Sequence, residues 1–150
     1  MEITYRKLGS GDMDTFIKMR IQQLQEEGAE PVLDLSSELR SYYTRHLEDQ
    51  TFSAWLAVDE EAIVGTCGLS VVEKPPYYAN PTGRIGLLSS VYTLKSHRRR
   101  GIARGLLEHI MDEANSAGCG AVQITAPDMG TLLYADYGFK RNENFMQFVL

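Results

Sequence analysis

The sequence has no apolar run approaching the ~20 residues that a membrane-spanning helix needs. Its first stretch, residues 1–14, also lacks the apolar core of a secretory leader. The expectation is a cytoplasmic protein with no membrane partner. Cysteine is scarce. Cys67 and Cys119 lie far apart, each in an apolar strand-like run, which favours two reduced core thiols over a disulfide or a nucleophile. The three histidines, His46, His97 and His109, have no partner at metal-ligand or triad spacing, so no metal is expected. Basic charge is also short. The net charge of −5 argues against a nucleic-acid partner. There are no internal repeats and no low-complexity tracts. What remains is 150 residues, 43% of them hydrophobic, enough for one domain over residues 1–150 with a sizeable core.

The charge is unevenly spread. Residues 1–83 hold 7 Lys+Arg against 14 Asp+Glu, giving −7, whereas residues 84–150 hold 8 against 6, giving +2. The basic excess is concentrated at Arg98, Arg99, Arg100 and Arg104. An acidic first half beside a local basic cluster suits a protein that holds an anion and admits a cation; the plainer alternative is that the acidic residues solvate two helices.

Residues 91–113 read as a strand, a polar turn and a helix. Val91, Tyr92 and Thr93 favour a strand, and Ile102, Leu106, Leu107, Ile110 and Met111 recur at helical spacing. Between them, Arg98-Arg99-Arg100-Gly101-Ile102-Ala103 delivers the chain onto a helix N-terminus. Such a junction presents several unpaired backbone N–H groups at the positive end of the helix dipole, a ready site for phosphate. Gly101 and Ala103 are small enough for a pyrophosphate to lie against the backbone.

Around this junction the pattern predicts, in order, a strand at 3–8, a helix from Asp12 or Asp14 to about Gly28, and a helix opened by Asp34 or by Ser36-Ser37 with Glu38. Two antiparallel strands follow at 52–58 and 62–72, then a proline-rich loop at 73–83. A strand at 84–94 leads into the junction and the helix at 101–117. A strand at 121–126, a short helix containing Leu132, Leu133 and Tyr134, and a final strand at 145–150 complete the chain. This order implies an α/β fold: a mixed, mostly antiparallel central sheet flanked by helices on both faces.

The same junction resembles a known signature. Arg98-Arg99-Arg100-Gly101-Ile102-Ala103 fits the (Gln/Arg)-x-x-Gly-x-(Gly/Ala) pattern of the GNAT superfamily of acetyl-CoA-dependent N-acetyltransferases. Downstream, Leu133-Tyr134 with Gly138-Phe139 is similar to that family's Leu-Tyr-x-x-x-Gly-Phe element. The likeness covers roughly residues 52–141. It implies the GNAT fold, whose fourth and fifth strands splay apart, with acetyl-CoA as co-substrate, an amine of a small molecule or peptide as acceptor, and a homodimer as an ordinary state. One position departs: Pro127 stands where many members have an Asn that touches the cofactor.

The resemblance also implies roles. The backbone of Arg98, Arg99, Arg100, Gly101, Ile102, Ala103 and Arg104 would surround the pyrophosphate. The main chain of Val91, Tyr92 and Thr93 would run beside pantetheine, the Val91 N–H polarising the thioester. Tyr134 would be the general acid; a phenol with a pKa of ~10 is matched to a leaving thiol at ~8.5 or somewhat above. A buried tyrosine with an ordinary structural hydrogen bond is the plainer alternative. Glu73 is a candidate base, with Asp128, Glu38 and bulk water as rivals, and Tyr77 and Tyr78 in the proline-rich loop are candidate substrate contacts. A non-catalytic acyl-CoA sensor, another acyl donor, and a hydroxyl acceptor stay open.

Overall fold

The apolar stripe after Gly101 forms the helix that the spacing demands. In the computed structural model, which describes residues 2–125, 131–142 and 144–150, this helix is α3, Ile102–Ser116. Ile102, Leu106, Leu107, Ile110 and Ala114 are all buried along it. The other elements are β1 (Ile3–Lys7), α1 (Met13–Glu26), α2 (Ser36–Glu48), β2 (Phe52–Asp59), β3 (Ala62–Glu73), β4 (Arg84–Thr93), β5 (Ala121–Gln123) and α4 (Thr131–Tyr137). Among the described residues no helix is long and apolar enough to cross a membrane.

The five strands form one sheet in the order β1-β2-β3-β4-β5. The first four are antiparallel and β5 runs parallel to β4, as its connection through α3 requires. Strand alternation then sorts the core into two layers. Phe52, Ala54, Leu56 and Val58 of β2 meet Phe16 and Ile17 of α1 and Tyr43 of α2 on one face. Ala57, Val64, Cys67, Leu69 and Leu88 meet the α3 stripe on the other. The mixed sheet with helices on both faces is the architecture that the element order implied.

α3 lies close to the sheet because Gly105 has no side chain: a Cβ there would stand 2.3 Å from the Tyr5 hydroxyl. Both cysteines are free thiols, and complete burial pushes the Cys67 thiol up to about 12.

Two expectations about elements are corrected. The second helix is entered through Leu35 rather than through a serine capping box. Asp34 turns the chain into it by accepting hydrogen bonds from the Ser36 amide at 2.9 Å and the Ser36 hydroxyl at 2.7 Å. More consequentially, residues 145–150 form no strand. Their alternation suits a sheet, but among the described residues no sheet edge meets them, and their side chains stand in solvent. The strand expected at 121–126 ends at Gln123, and Pro127 and Asp128 lie outside the described residues.

Candidate active site

β4 is the strand that makes the site. Its partner β3 runs in simple register as far as Gly68 opposite Ser89 and resumes with Thr66 opposite Tyr92. Cys67 therefore faces two residues, Ser90 and Val91, and Ser90 takes a left-handed φ of 55°. This is a β-bulge, and such an insertion bends its strand and sharpens its twist. Thr66 holds the bulge by donating its hydroxyl to the Ser90 carbonyl at 2.6 Å. From the opposite layer, the buried Gln23 of α1 donates its amide to the Val91 carbonyl at 3.2 Å, and Arg20 donates to Gln23 at 3.1 Å.

On its other edge β4 pairs with β5 at only three positions, Ile85, Gly86 and Leu87. Beyond them β4 runs on to Thr93 while β5 stops. Among the described residues, the edge from Leu88 to Thr93 has no partner in β5.

The strand leads to the junction. Leu94 exits into a short 3-10 turn, Lys95–His97, and His97 anchors it by bonding Asp59 at 2.8 Å and Ser96 at 2.7 Å. Arg99 (φ 63°) and Gly101 (φ 75°) then both adopt left-handed conformations, and consecutive turns of this kind aim backbone N–H groups at one point. Gly101 occupies the N-cap of α3, so the capping position has no side chain to accept a hydrogen bond, and no acidic residue sits in the first turn. Among the described residues, a Cβ at Gly101 would meet nothing within 4 Å. The expected crowding of a larger residue here would therefore come from a bound ligand and from backbone strain, not from the protein's own side chains. Thr93, Arg99, Gly101, Ala103 and Arg104 line a cleft of about 210 Å³, and Leu133 of α4 closes it. The two motifs, which begin at Arg98 and at Leu133, thus meet at one cleft.

The arginines divide their work. Arg98 also lines the cleft and reaches toward α1, donating to the Thr93 carbonyl at 2.9 Å and to Glu26 at 3.1 Å, with its guanidinium over the Tyr92 ring. Arg104 covers Tyr137 of α4 at 5.2 Å. Burial alone would raise the Glu26 carboxyl, but Tyr92, Arg98 and Lys95 hold it below the usual carboxylate range. The Tyr92 hydroxyl beside them is buried and makes no hydrogen bond of acceptable geometry. Burial first, then the Glu26 charge, push its pKa up.

Tyr134 is buried in the α3-side core, with its ring edge-on to Phe139 at 5.6 Å. Burial, with smaller contributions from Cys67 and Glu27, drives the phenol well above its ordinary value. It is therefore protonated at neutral pH, and a weaker acid than a free phenol.

Glu73, Tyr77 and Tyr78 are not brought to this cleft. Glu73 ends β3 beside the first residue of β4 and accepts a hydrogen bond from Arg84 at 2.7 Å. The ten residues of β4 separate that end from Thr93 by about 30 Å. Tyr77 turns back to bridge Asn80, and Tyr78 is fully exposed. Conversely, sequence reasoning passed over Gln23, Glu26, Thr66 and Ser90. Gln23 gave one signal: it falls four residues after Met19 and seven after Phe16, a polar residue on an otherwise apolar face. Among the described residues, no group of three His, Cys, Asp or Glu is placed to hold a metal ion.

Comparison with known proteins agrees with this geometry. The family model described as "Acetyltransferase (GNAT) family" matches residues 18–139. A search of curated proteins finds no match. Among solved structures, the chain is similar to a predicted acetyltransferase with acetyl-CoA from Clostridium acetobutylicum. The two are 30% identical with a TM-score of 0.94, over 99% of this chain and 96% of that one. A GCN5-related N-acetyltransferase from Ralstonia eutropha shares the fold at 24% identity and a TM-score of 0.90, with 99% of each chain covered. Glucosamine-6-phosphate N-acetyltransferase from Arabidopsis thaliana shares it at 17% identity and a TM-score of 0.77, over 99% of each chain. With its signature at an uncapped helix start, this chain belongs to the GNAT acetyltransferase family.

Proposed function

We propose that this protein transfers an acetyl group from acetyl-CoA to a primary amine of a small molecule or peptide, by direct attack of the amine. One observation carries the reading: the bare amides at the start of α3 face an open cleft that continues into the unpaired edge of β4. A diphosphate fits the first and a slender thiol arm the second. The relative from Clostridium acetobutylicum, whose structure includes acetyl-CoA, supports the same donor.

Acetyl-CoA, when bound, supplies an acetyl group activated as a thioester. The remaining work falls to the chain. Backbone N–H groups from Arg99 to Arg104 hold the diphosphate in the field of the helix dipole. The main chain of Val91, Tyr92 and Thr93 orients the arm, and the Val91 N–H stabilises charge on the carbonyl oxygen. Tyr134 gives its proton to the leaving sulfur. Glu73 has no part in this scheme, and water takes the proton from the amine. The last turn of α1 and the segment after it offer a groove of about 550 Å³ lined by Ile21, Leu24, Pro31, Val32 and Leu35, with Glu30 and Asp34 at its rim. That lining suits an amine carried on an apolar body.

The test is thiol release from acetyl-CoA across a panel of amines: a polyamine, an aminoglycoside, an amino acid and a peptide N-terminus. Release with at least one of them, abolished by boiling the protein, is the expected result. Tight acetyl-CoA binding with no release from any amine would replace the enzyme by an acyl-CoA sensor on the same fold.

A further inference from the structure

Two carboxylates stand behind the anion-binding junction, and neither takes part in the proposed chemistry. Glu26, the last residue of α1, pairs with Arg98 at 3.1 Å and with Lys95 at 3.8 Å. Asp59, the last residue of β2, accepts the Nε2–H of His97 at 2.8 Å. The other nitrogen of that ring lies 2.7 Å from the Ser96 hydroxyl. The turn between β4 and α3 is therefore gripped from two elements, across 72 positions of sequence by α1 and across 38 by β2.

By charge alone both carboxylates are misplaced, because each repels an anion bound nearby. The backbone between them supplies the compensating gain. Arg99 holds a φ of 63°, a left-handed conformation that a residue other than glycine keeps only when its surroundings fix it. Its surroundings do. Before it, the Leu94 amide donates to the Val64 carbonyl at 2.9 Å, and His97 is tied to Asp59. Directly beside it, Arg98 is held by Glu26, by the Thr93 carbonyl and by the Tyr92 ring. Fully exposed ion pairs contribute little, but the Glu26 and Asp59 side chains are only 23 and 24% exposed, and each cation has a second partner.

We propose that Glu26 and Asp59 are positioning residues for the cofactor: through Arg98 and His97 they hold residues 98–101 in the anion-binding conformation before any ligand arrives. A diphosphate then binds without having to order the turn, which strengthens its affinity. The inference rests on the reading of the cleft as an acetyl-CoA site. It also fixes a sign. If each carboxylate acted only as a charge, replacing it with its amide would tighten the binding of an anion. If it acts as a brace, the same replacement weakens that binding. The brace outweighs the charge here because each carboxylate is already met by its own cation.

Calorimetric titration with acetyl-CoA and with CoA, on the unaltered chain and on Glu26→Gln and Asp59→Asn, reads that sign. Each variant should bind both ligands about tenfold more weakly. Its kcat at saturating acetyl-CoA should stay within about twofold, since only binding is lost. Glu61→Gln removes an exposed carboxylate from the β2–β3 turn and should bind no more weakly than the unaltered chain. Backbone order parameters at residues 98–102 of the ligand-free protein report the brace directly: about 0.85 in the unaltered chain and below about 0.6 in either variant. Unchanged or tighter binding by either variant would overturn the proposal. So would an equal loss in Glu61→Gln, or a turn already mobile in the unaltered, ligand-free chain. If the unaltered chain bound neither ligand, the reading of the cleft would fall, and the order parameters would still decide the brace. Should one variant fail to fold, the other decides it.

Discussion

The two ends of β4 are built on opposite plans. At the Arg84 end every group is tied. Arg84 donates to Glu73 at 2.7 Å and to the Ala117 carbonyl at 2.8 Å. Its own carbonyl accepts from the Gly120 amide at 3.0 Å and from the buried Asn80 side chain at 2.9 Å. β3 and β5 flank the strand there on both sides. At the Thr93 end the strand is bulged, one edge has no partner among the described residues, and the following helix starts at a glycine without a capping side chain. The closed end lets the open one exist. A strand free at both ends would slide or pair with whatever edge it met, whereas a strand clamped at one end keeps its register.

Four substitutions and one change of conditions probe that contrast. The largest effect is expected at the open end from Tyr134→Phe. Turnover should fall by about 10²–10⁴-fold with little change in the KM for acetyl-CoA, measured by thiol release. Unchanged turnover would remove Tyr134 from the chemistry. Gly101→Val places a β-branched residue at a φ of 75° and aims its side chain into the cleft, so acetyl-CoA affinity should fall on the order of 100-fold by calorimetry. At the closed end, Asn80→Ala removes the donor to a buried carbonyl and should cost about 1–3 kcal/mol of stability, read as a lower Tm, with KM unaltered. A raised KM for acetyl-CoA in that variant would mean that clamp and gap are coupled. Gln23→Ala, which frees the Val91 carbonyl, should cost about 1 kcal/mol and raise KM several-fold. The smallest effect is that of salt. Arg98 is already neutralised by Glu26, so acetyl-CoA affinity should weaken only modestly between low and physiological ionic strength.

The α3-side core adds a pH dependence of its own. Burial raises both Cys67 and Tyr134, so their contribution to stability is complete below the unfolded values of ~8.5 and ~10. It is lost as pH rises through the folded values, toward about 12 for Cys67. Alkaline unfolding of the Cys67→Ala variant should accordingly be shallower above about pH 9.

What was legible in the sequence was local. The 3.6-residue stripe from Ile102 to Ala114, the alternation in β2, and Arg98 to Ala103 at a helix start each follow from neighbours within a few residues. Their meeting at the cleft followed from resemblance. The illegible parts are those fixed at long range. Gln23 reaches Val91 across 68 positions and Arg98 reaches Glu26 across 72, and no local pattern encodes either. The bulge at Ser90 lacks the glycine that often marks one. Glu73 is near the site along the chain but far from it in space, because the whole length of β4 lies between them. Residues 145–150 alternate like a strand, yet a local pattern does not name the edge that would receive it.

The extra residue in β4 has a consequence for side-chain parity. Leu88 and Tyr92 are four positions apart, and in an even ladder they would share a face. Here Leu88 packs toward α3 while Tyr92 lies with Glu26 of α1, because the count changes sign at Ser90. Deleting that one serine would swap the sides of Val91, Tyr92 and Thr93 together. The whole polar grouping around Glu26 is thus hung from a single inserted residue.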